Sequence, residues 1–265
     1  MCKQVYGLLL LLVGGALVRI LSEFNGLKND NFLQSRCINS IMSILVLAVL
    51  VTSPAKAAPF QTLFGYTEIQ QSDIHVFPQW LTVLENQHVN IVKQGDCING
   101  QVSSDCQLQN WHKFLTSIRD LAPNAQLDAV NRFANEQDYV VDIENYGHED
   151  YWALPGQFLT NGGDCEDYAI VKLFSLLQLG WPAESMRLVV VQDTDLGMPH
   201  AILAVASGQD IWILDNQAAS IVAEQNIEHY APVYSISGRQ WWLHMPPGEA
   251  MATASLSRAR SPALP

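Results

Sequence analysis

The chain has 265 residues, 49% of them hydrophobic, with 26 acidic residues against 14 basic and a formal net charge of −12. That is enough apolar sequence for one sizeable core or two small domains. An acidic chain without a basic stripe argues against nucleic-acid binding, which needs clustered Lys and Arg to neutralise phosphate.

Two apolar runs open the sequence. Residues 5–21 are interrupted by Gly14, Gly15 and Arg19, and they read either as a membrane anchor or as sequence from an upstream start codon. Residues 41–51 follow Arg36 and precede the small-residue site Ala55-Lys56-Ala57, the pattern of a secretory signal cleaved before Ala58. This second run is too short to span a bilayer comfortably. Lys3, Arg19, Lys28, Arg36 and Lys56 fall in this leader against only Glu23 and Asp30, so the exported part is more acidic still. The expected organisation is a leader over 1–57, a domain over 58–245, and a disordered tail rich in Ala, Ser and Pro over 246–265.

Beyond the leader the apolar spacing predicts helices over 78–91, 107–122 and 124–137, which together form a helical lobe. Between the first two, Cys97 and Cys106 bracket the loop CINGQVSSDC. They can close as a disulfide in an oxidising compartment or stay unpaired, and no histidine completes a metal spacing. Residues 139–159 mix acids, aromatics and breakers and read as an ordered loop with a short helical turn near its end. A strong helix follows over 165–179, with Gly180 as its stop signal. The period then changes to that of strands, over 187–191, 200–206, 211–214, 233–237 and 240–244. Trp111, Trp152, Trp181 and Trp212 are assigned to the core, with Trp152 or Tyr151 alternatively bordering the cleft, while Trp241 and Trp242 anchor the last strand or a partner.

The segment NGGDCEDYAI carries the chemistry. Gly162 and Gly163 allow a sharp turn, Asp164 is placed to cap the next helix, and Cys165 falls in its first turn. There the helix dipole and free N–H groups favour a thiolate and offer part of an oxyanion hole. The competing reading is a buried structural cysteine. Asp164, Glu166 and Asp167 oppose ionisation of the thiol, so their presence needs a reason.

A base is available in MPHAILAVASGQDIWILDNQ, with His200 at the head of one strand and Asp215 at the end of the next. A turn of two or four residues around Ser207-Gly208 pairs Ile202 with Ile213 or Asp215 and puts His200 and Asp215 on one face; an odd-length loop separates them. Sharing a face lets the carboxylate orient the imidazole while its other nitrogen meets the thiol.

GGDCEDYAI, PHAILAV and ILDN, with QLDAVNRFANEQDYVVDIENYGHEDYWALPGQFL upstream and WWLH downstream, resemble the bacterial transglutaminase-like cysteine peptidases of the LapG type. The resemblance covers most of residues 78–245. It implies an α+β, papain/transglutaminase-like fold with a helical lobe packed on a small antiparallel sheet and the catalytic cysteine at a helix N-terminus. It implies a triad of Cys165, His200 and Asp215, calcium dependence and a periplasmic location. It further implies cleavage of the N-terminal region of a large surface adhesin, which releases cells from biofilm, and control by an inner-membrane cyclic-di-GMP receptor of the LapD type.

Calcium also answers the question raised by the acids. Asp164 and Glu166 are hard oxygen ligands flanking the cysteine, and a cation between them replaces repulsion with order. Asp142 is the preferred third ligand, with Glu144, Asn145 and backbone carbonyls as further sources, against the alternative of a solvated acidic face. Two other functions fit the same residues: a transglutaminase that accepts an amine in place of water, and a catalytically inactive calcium-dependent binding module of the adhesion machinery. The double leader and the CINGQVSSDC loop depart from the family pattern, and neither touches the triad.

Overall fold

A computed structural model describes residues 60, 62–86 and 104–248. The leader, its cleavage site, Cys97 and most of the expected tail lie outside the described residues. Cys106 is disulfide-bonded, and its expected partner Cys97 is among those outside. No helix among the described residues is long and apolar enough to cross a membrane.

The helices are α1 (Pro78–Asn86), α2 (Ser104–Ile118), α3 (Pro123–Asn135), a single turn α4 (Asp142–Asn145), α5 (Pro155–Asn161) and α6 (Cys165–Leu179). Three of them begin with proline, whose fixed φ suits the first turn and whose missing N–H is not needed there. α2 stops at Ile118, short of the expected residue 122. Pro123 disfavours helical backbone at the residue before it, and Leu121, within the span expected to be helical, is 45% exposed. The acidic stretch 142–145, expected as loop, is instead the helical turn α4. α6 has the expected bounds and ends at Gly180, which adopts φ 92 in the left-handed region.

One eight-stranded antiparallel sheet accompanies them: β1 (Thr62–Leu63), β2 (Tyr66–Gln71), β3 (Met186–Asp193), β4 (Met198–Ser207), β5 (Asp210–Leu214), β6 (Val222–Ala223), β7 (Tyr230–Ser237) and β8 (Gln240–Met245), in the order β1-β2-β8-β7-β3-β4-β5-β6. The expected strands are all present. β1, β2 and β6 were not foreseen, because β1 and β6 are only 2 residues long and β2 (YTEIQQ) is mostly polar.

Alternation along β3 and β4 splits the core. Leu188, Leu203 and Val205 face the helices and pack with Trp111, Phe158, Ile170 and Leu176. Val189, Val191, Ile202 and Ala204 face the other way and are covered by Phe60 and Leu63 from the N-terminal strand. The sheet curls so far that its two edges meet, and the Phe64 backbone N–H donates to the Glu224 carboxylate beyond β6. Trp111 is fully buried, whereas Trp152, Trp181 and Trp212 are partly buried against the same core. Trp242 lies under the Arg187 guanidinium at 3.7 Å, and Trp241 donates from Nε1 to the Asp73 carbonyl.

Candidate active site

The approach to Cys165 is fixed by backbone. Gly162 adopts φ 74, and a Cβ there would lie 2.3 Å from the Asp138 carbonyl oxygen. At Gly163 a Cβ would lie 2.2 Å from Asp167 Oδ2. The pair of glycines therefore lets the chain pass against residues 138–140, where Val140 N–H donates to the Gly163 carbonyl at 2.9 Å. Asp164 is the N-cap residue, but the side-chain capping bond visible here runs the other way: Asp167 Oδ2 accepts from Asp164 N–H at 3.3 Å. Asp164 Oδ1 is buried with no hydrogen-bond partner.

Cys165 is thus at the first position of α6, with the helix N-terminus behind it. Its thiol donates to Glu166 Oε2 at 3.3 Å, and no hydrogen bond joins it to His200. Burial, then the charges of Glu166 and Asp164, push the thiol well above its ordinary range; a hydrogen bond from the Ala201 backbone works the other way.

His200 and Asp215 are brought together as the register argument requires. β4 and β5 are joined by a two-residue turn, Ser207 pairing with Asp210 and Leu203 with Leu214, so the next step places Asp215 beside Ile202. His200 Nε2 lies 2.8 Å from Asp215 Oδ1, both side chains buried. With Nε2 turned to the carboxylate, Nδ1, which has only a long 3.5 Å contact with Gln217 Nε2, is the nitrogen available for proton transfer. Asp215 also accepts from Gln217 N–H at 2.9 Å and from the Tyr230 hydroxyl at 2.6 Å. Burial alone raises the Asp215 pKa, but these bonds and the imidazole outweigh it and leave the carboxyl below its usual value. Asn135 Nδ2 holds the Asp215 carbonyl at 2.9 Å and that of Ala218 at 3.0 Å, pinning the loop to α3. Tyr230 and Asn135 were not singled out in the sequence; Asn135 is visible there only as a polar residue on a helix.

Three carboxylate groupings surround the helix N-terminus. Ligand atoms of Asp142, Asp164 and Asp167 lie within 4.8 Å of one another; those of Asp164, Cys165 and Glu166, and of Asp142, Asp150 and Glu166, do the same. Among the described residues no single grouping holds Asp142, Asp164 and Glu166 together, although each pair of them shares one; the groupings also bring in Asp150 and Asp167, which the sequence did not mark as ligands. Glu144 is exposed and outside these groupings, and Asn145 instead donates to the Gly162 carbonyl at 3.2 Å. Burial raises Asp142 to about 6 and Asp167 to about 8, and burial followed by the neighbouring Asp164 raises Glu166. Asp142 Oδ2 accepts from Tyr151 N–H, but Asp142 Oδ1, like Asp164 Oδ1, is buried without a partner. Orphaned anionic oxygens of this kind are costly unless a proton or a cation meets them. An all-oxygen set of this size fits calcium.

A partly buried cysteine at a helix N-terminus, with a buried histidine–carboxylate pair on β4 and just beyond β5 of the adjoining sheet, is the residue set of a papain-like thiol hydrolase. Residues 97–247 match the family model described as bacterial transglutaminase-like cysteine proteinase BTLCP, and the chain belongs to that family. Among solved structures it is similar to Legionella pneumophila LapG, at 26% identity and a TM-score of 0.50 over 67% of this chain and 96% of that one. A calcium-bound form of the same Legionella protein matches at 26% identity and a TM-score of 0.50, covering 66% of this chain and 98% of that one. Comparison with curated proteins gives no match.

Proposed function

We propose that this member of the cysteine proteinase family is a calcium-dependent endopeptidase in which Cys165 is the nucleophile, His200 the general base and acid, and Asp215 the residue that orients His200. The observation that carries the reading is the 2.8 Å contact between Asp215 Oδ1 and His200 Nε2 on β4, within the sheet on which the Cys165 helix packs.

Cys165 Sγ attacks a peptide carbonyl as His200 Nδ1 takes the thiol proton, and the proton then passes to the leaving amine. The free N–H of Cys165 at the start of α6 faces the developing oxyanion. Asp215 keeps the proton on Nε2 and stabilises the imidazolium that forms. Water then attacks the thioester and regenerates the thiol. Asp142, Asp164 and Glu166, with Asp150 and Asp167 beside them, are the residues that would hold calcium. Held by these residues, calcium would supply positive charge that offsets the acids around the thiol, among them Glu166, which accepts the thiol hydrogen. That a calcium-bound form of Legionella LapG is among the similar structures supports calcium as the ion, apart from which residues hold it.

The substrate we propose is the N-terminal region of a large surface adhesin, cut at a small-residue site in the periplasm, with an inner-membrane cyclic-di-GMP receptor as the controlling partner. The test is incubation of a candidate adhesin N-terminal region with the protein in calcium or in chelator. New fragments in calcium alone, lost in Cys165→Ala, support the reading. Crosslinked products that conserve both chains indicate transglutaminase activity, and adhesin binding that survives Cys165→Ala without cleavage indicates a binding module.

A further inference from the structure

The proposed triad leaves one oxygen of its carboxylate to another residue. Asp215 Oδ1 faces His200 and Gln217 N–H, while Oδ2 accepts from Tyr230 at 2.6 Å. Tyr230 is 5% exposed. Its ring centroid lies 5.8 Å from the His200 ring on one side and 6.0 Å, edge to face, from Phe64 on the other. The ring is therefore held between the proposed catalytic imidazole and the turn that joins β1 and β2.

How Tyr230 reaches Asp215 is a separate matter of backbone. In the β3–β7 pairing Val190 is opposite Tyr234, but Val191 is opposite Pro232, so Val233 is an extra residue on β7. A one-residue bulge reverses which face the following side chains occupy. Ile236 accordingly packs on the helical side of the sheet, whereas Tyr230 packs on the opposite side with Val191 and Ile202. Without the bulge the even-numbered positions of β7 would stay on one face, and Tyr230 would point away from Asp215. Pro232, with no N–H to contribute, sits where the ladder is broken.

Resting on the proteinase reading above, we propose that Tyr230 is a positioning residue of this site. Its hydroxyl fixes the Asp215 carboxylate so that Oδ1 meets His200 Nε2, and the β7 bulge with the Phe64 contact is the device that aims it. A carboxylate held by one fewer donor can rotate about its terminal torsion, which is broad and roughly two-fold, and lose the imidazole.

The test uses the full-length protein with Tyr230→Phe, which keeps the ring and removes the donor. One readout is the downfield proton signal of His200 Nε2–H, assigned by its loss in His200→Ala. The other is the rate at which iodoacetamide modifies Cys165 in calcium, followed by peptide mass spectrometry. The expected result is a thermal midpoint close to that of the parent, a Nε2–H signal broadened by solvent exchange, and alkylation slowed by about tenfold. A retained, unshifted signal with alkylation within twofold of the parent overturns the proposal. Should the variant not fold, the parent decides: a slowly exchanging Tyr230 hydroxyl proton with a cross-peak to the His200 ring supports it, and its absence overturns it. Parent Cys165 that reacts like an ordinary thiol contradicts the proteinase reading, while the imidazole signal still decides the role of Tyr230.

Discussion

Asp142 and Asp164 each bury one carboxylate oxygen without a hydrogen-bond partner, and ligand atoms of the two lie within 4.8 Å of each other beside the Cys165 helix. Two such groups in that position repel each other and the thiolate. A cation between them removes both penalties.

Calcium should therefore stabilise the fold as well as the site. In differential scanning fluorimetry the midpoint is expected to rise by several degrees on adding millimolar calcium, because a ligand that binds only the native state shifts folding by mass action. Asp164→Asn and Glu166→Gln should lose most of that rise, and Asp142→Asn a large part. A calcium response unchanged in all three variants would contradict the ligand assignment.

The histidine–carboxylate pair predicts a graded loss of cleavage. Cys165→Ala and His200→Ala should each lower kcat/KM by about a thousandfold or more, and Asp215→Asn by about two to four orders of magnitude, since it misplaces the imidazole proton. Circular dichroism should show each variant folded. Activity within tenfold of the parent in Asp215→Asn would remove Asp215 from the mechanism.

The glycine pair predicts a steric failure. Gly162→Ala combines a positive φ with a 2.3 Å approach to the backbone oxygen of Asp138, which no side-chain movement relieves. A loss of about 2–4 kcal/mol is expected in urea unfolding. Gly163→Ala meets the Asp167 carboxylate instead, and should displace it from Ala153 N–H, which it accepts at 2.7 Å.

These same residues show how much was legible. The Gly-Gly-Asp-Cys turn and the α6 bounds follow from local rules: glycine permits the turn and Gly180 ends the helix. The β4–β5 register was open between loop lengths until the two-residue hairpin fixed which residues share a face. Cys165, His200 and Asp215 could therefore be named as candidates from residue type and place, and as a triad from the family resemblance. Tyr230 could not, because its aim depends on a bulge in β7 that no periodicity announces, and an extra residue in a strand simply shifts the alternation. Asp150 was missed as a ligand for a different reason: it comes from a loop that meets the helix only after the chain has folded, so spacing carries no trace of the meeting. Asp167, three residues from Asp164, was read only as an acid opposing the thiolate. The short strands β1 and β6 owe their pairing to neighbours across the curled sheet.

Lys172 predicts a pH dependence away from the acids. It is 1% exposed on α6, its Nζ has no hydrogen-bond partner, and burial lowers it from 10.5 to about 7, opposed by the charge of Asp215. The unfolded chain thus binds more protons between those values. Its destabilising contribution is fully present below about pH 7 and fades as pH rises towards 10.5, so this group makes stability climb with pH by up to about 1.4 kcal/mol per unit. Lys172→Met should flatten the slope between pH 7 and 9 in urea unfolding. An unchanged slope would show that Lys172 does not titrate in that window.

The most direct test of the central claim is the rate of iodoacetamide modification at Cys165 near neutral pH, with calcium and with chelator, in the parent and in His200→Ala. The account predicts a clear acceleration by calcium that His200→Ala abolishes, because the acids then form a metal site and the thiol engages the imidazole. Equal, ordinary thiol reactivity in both conditions would contradict it.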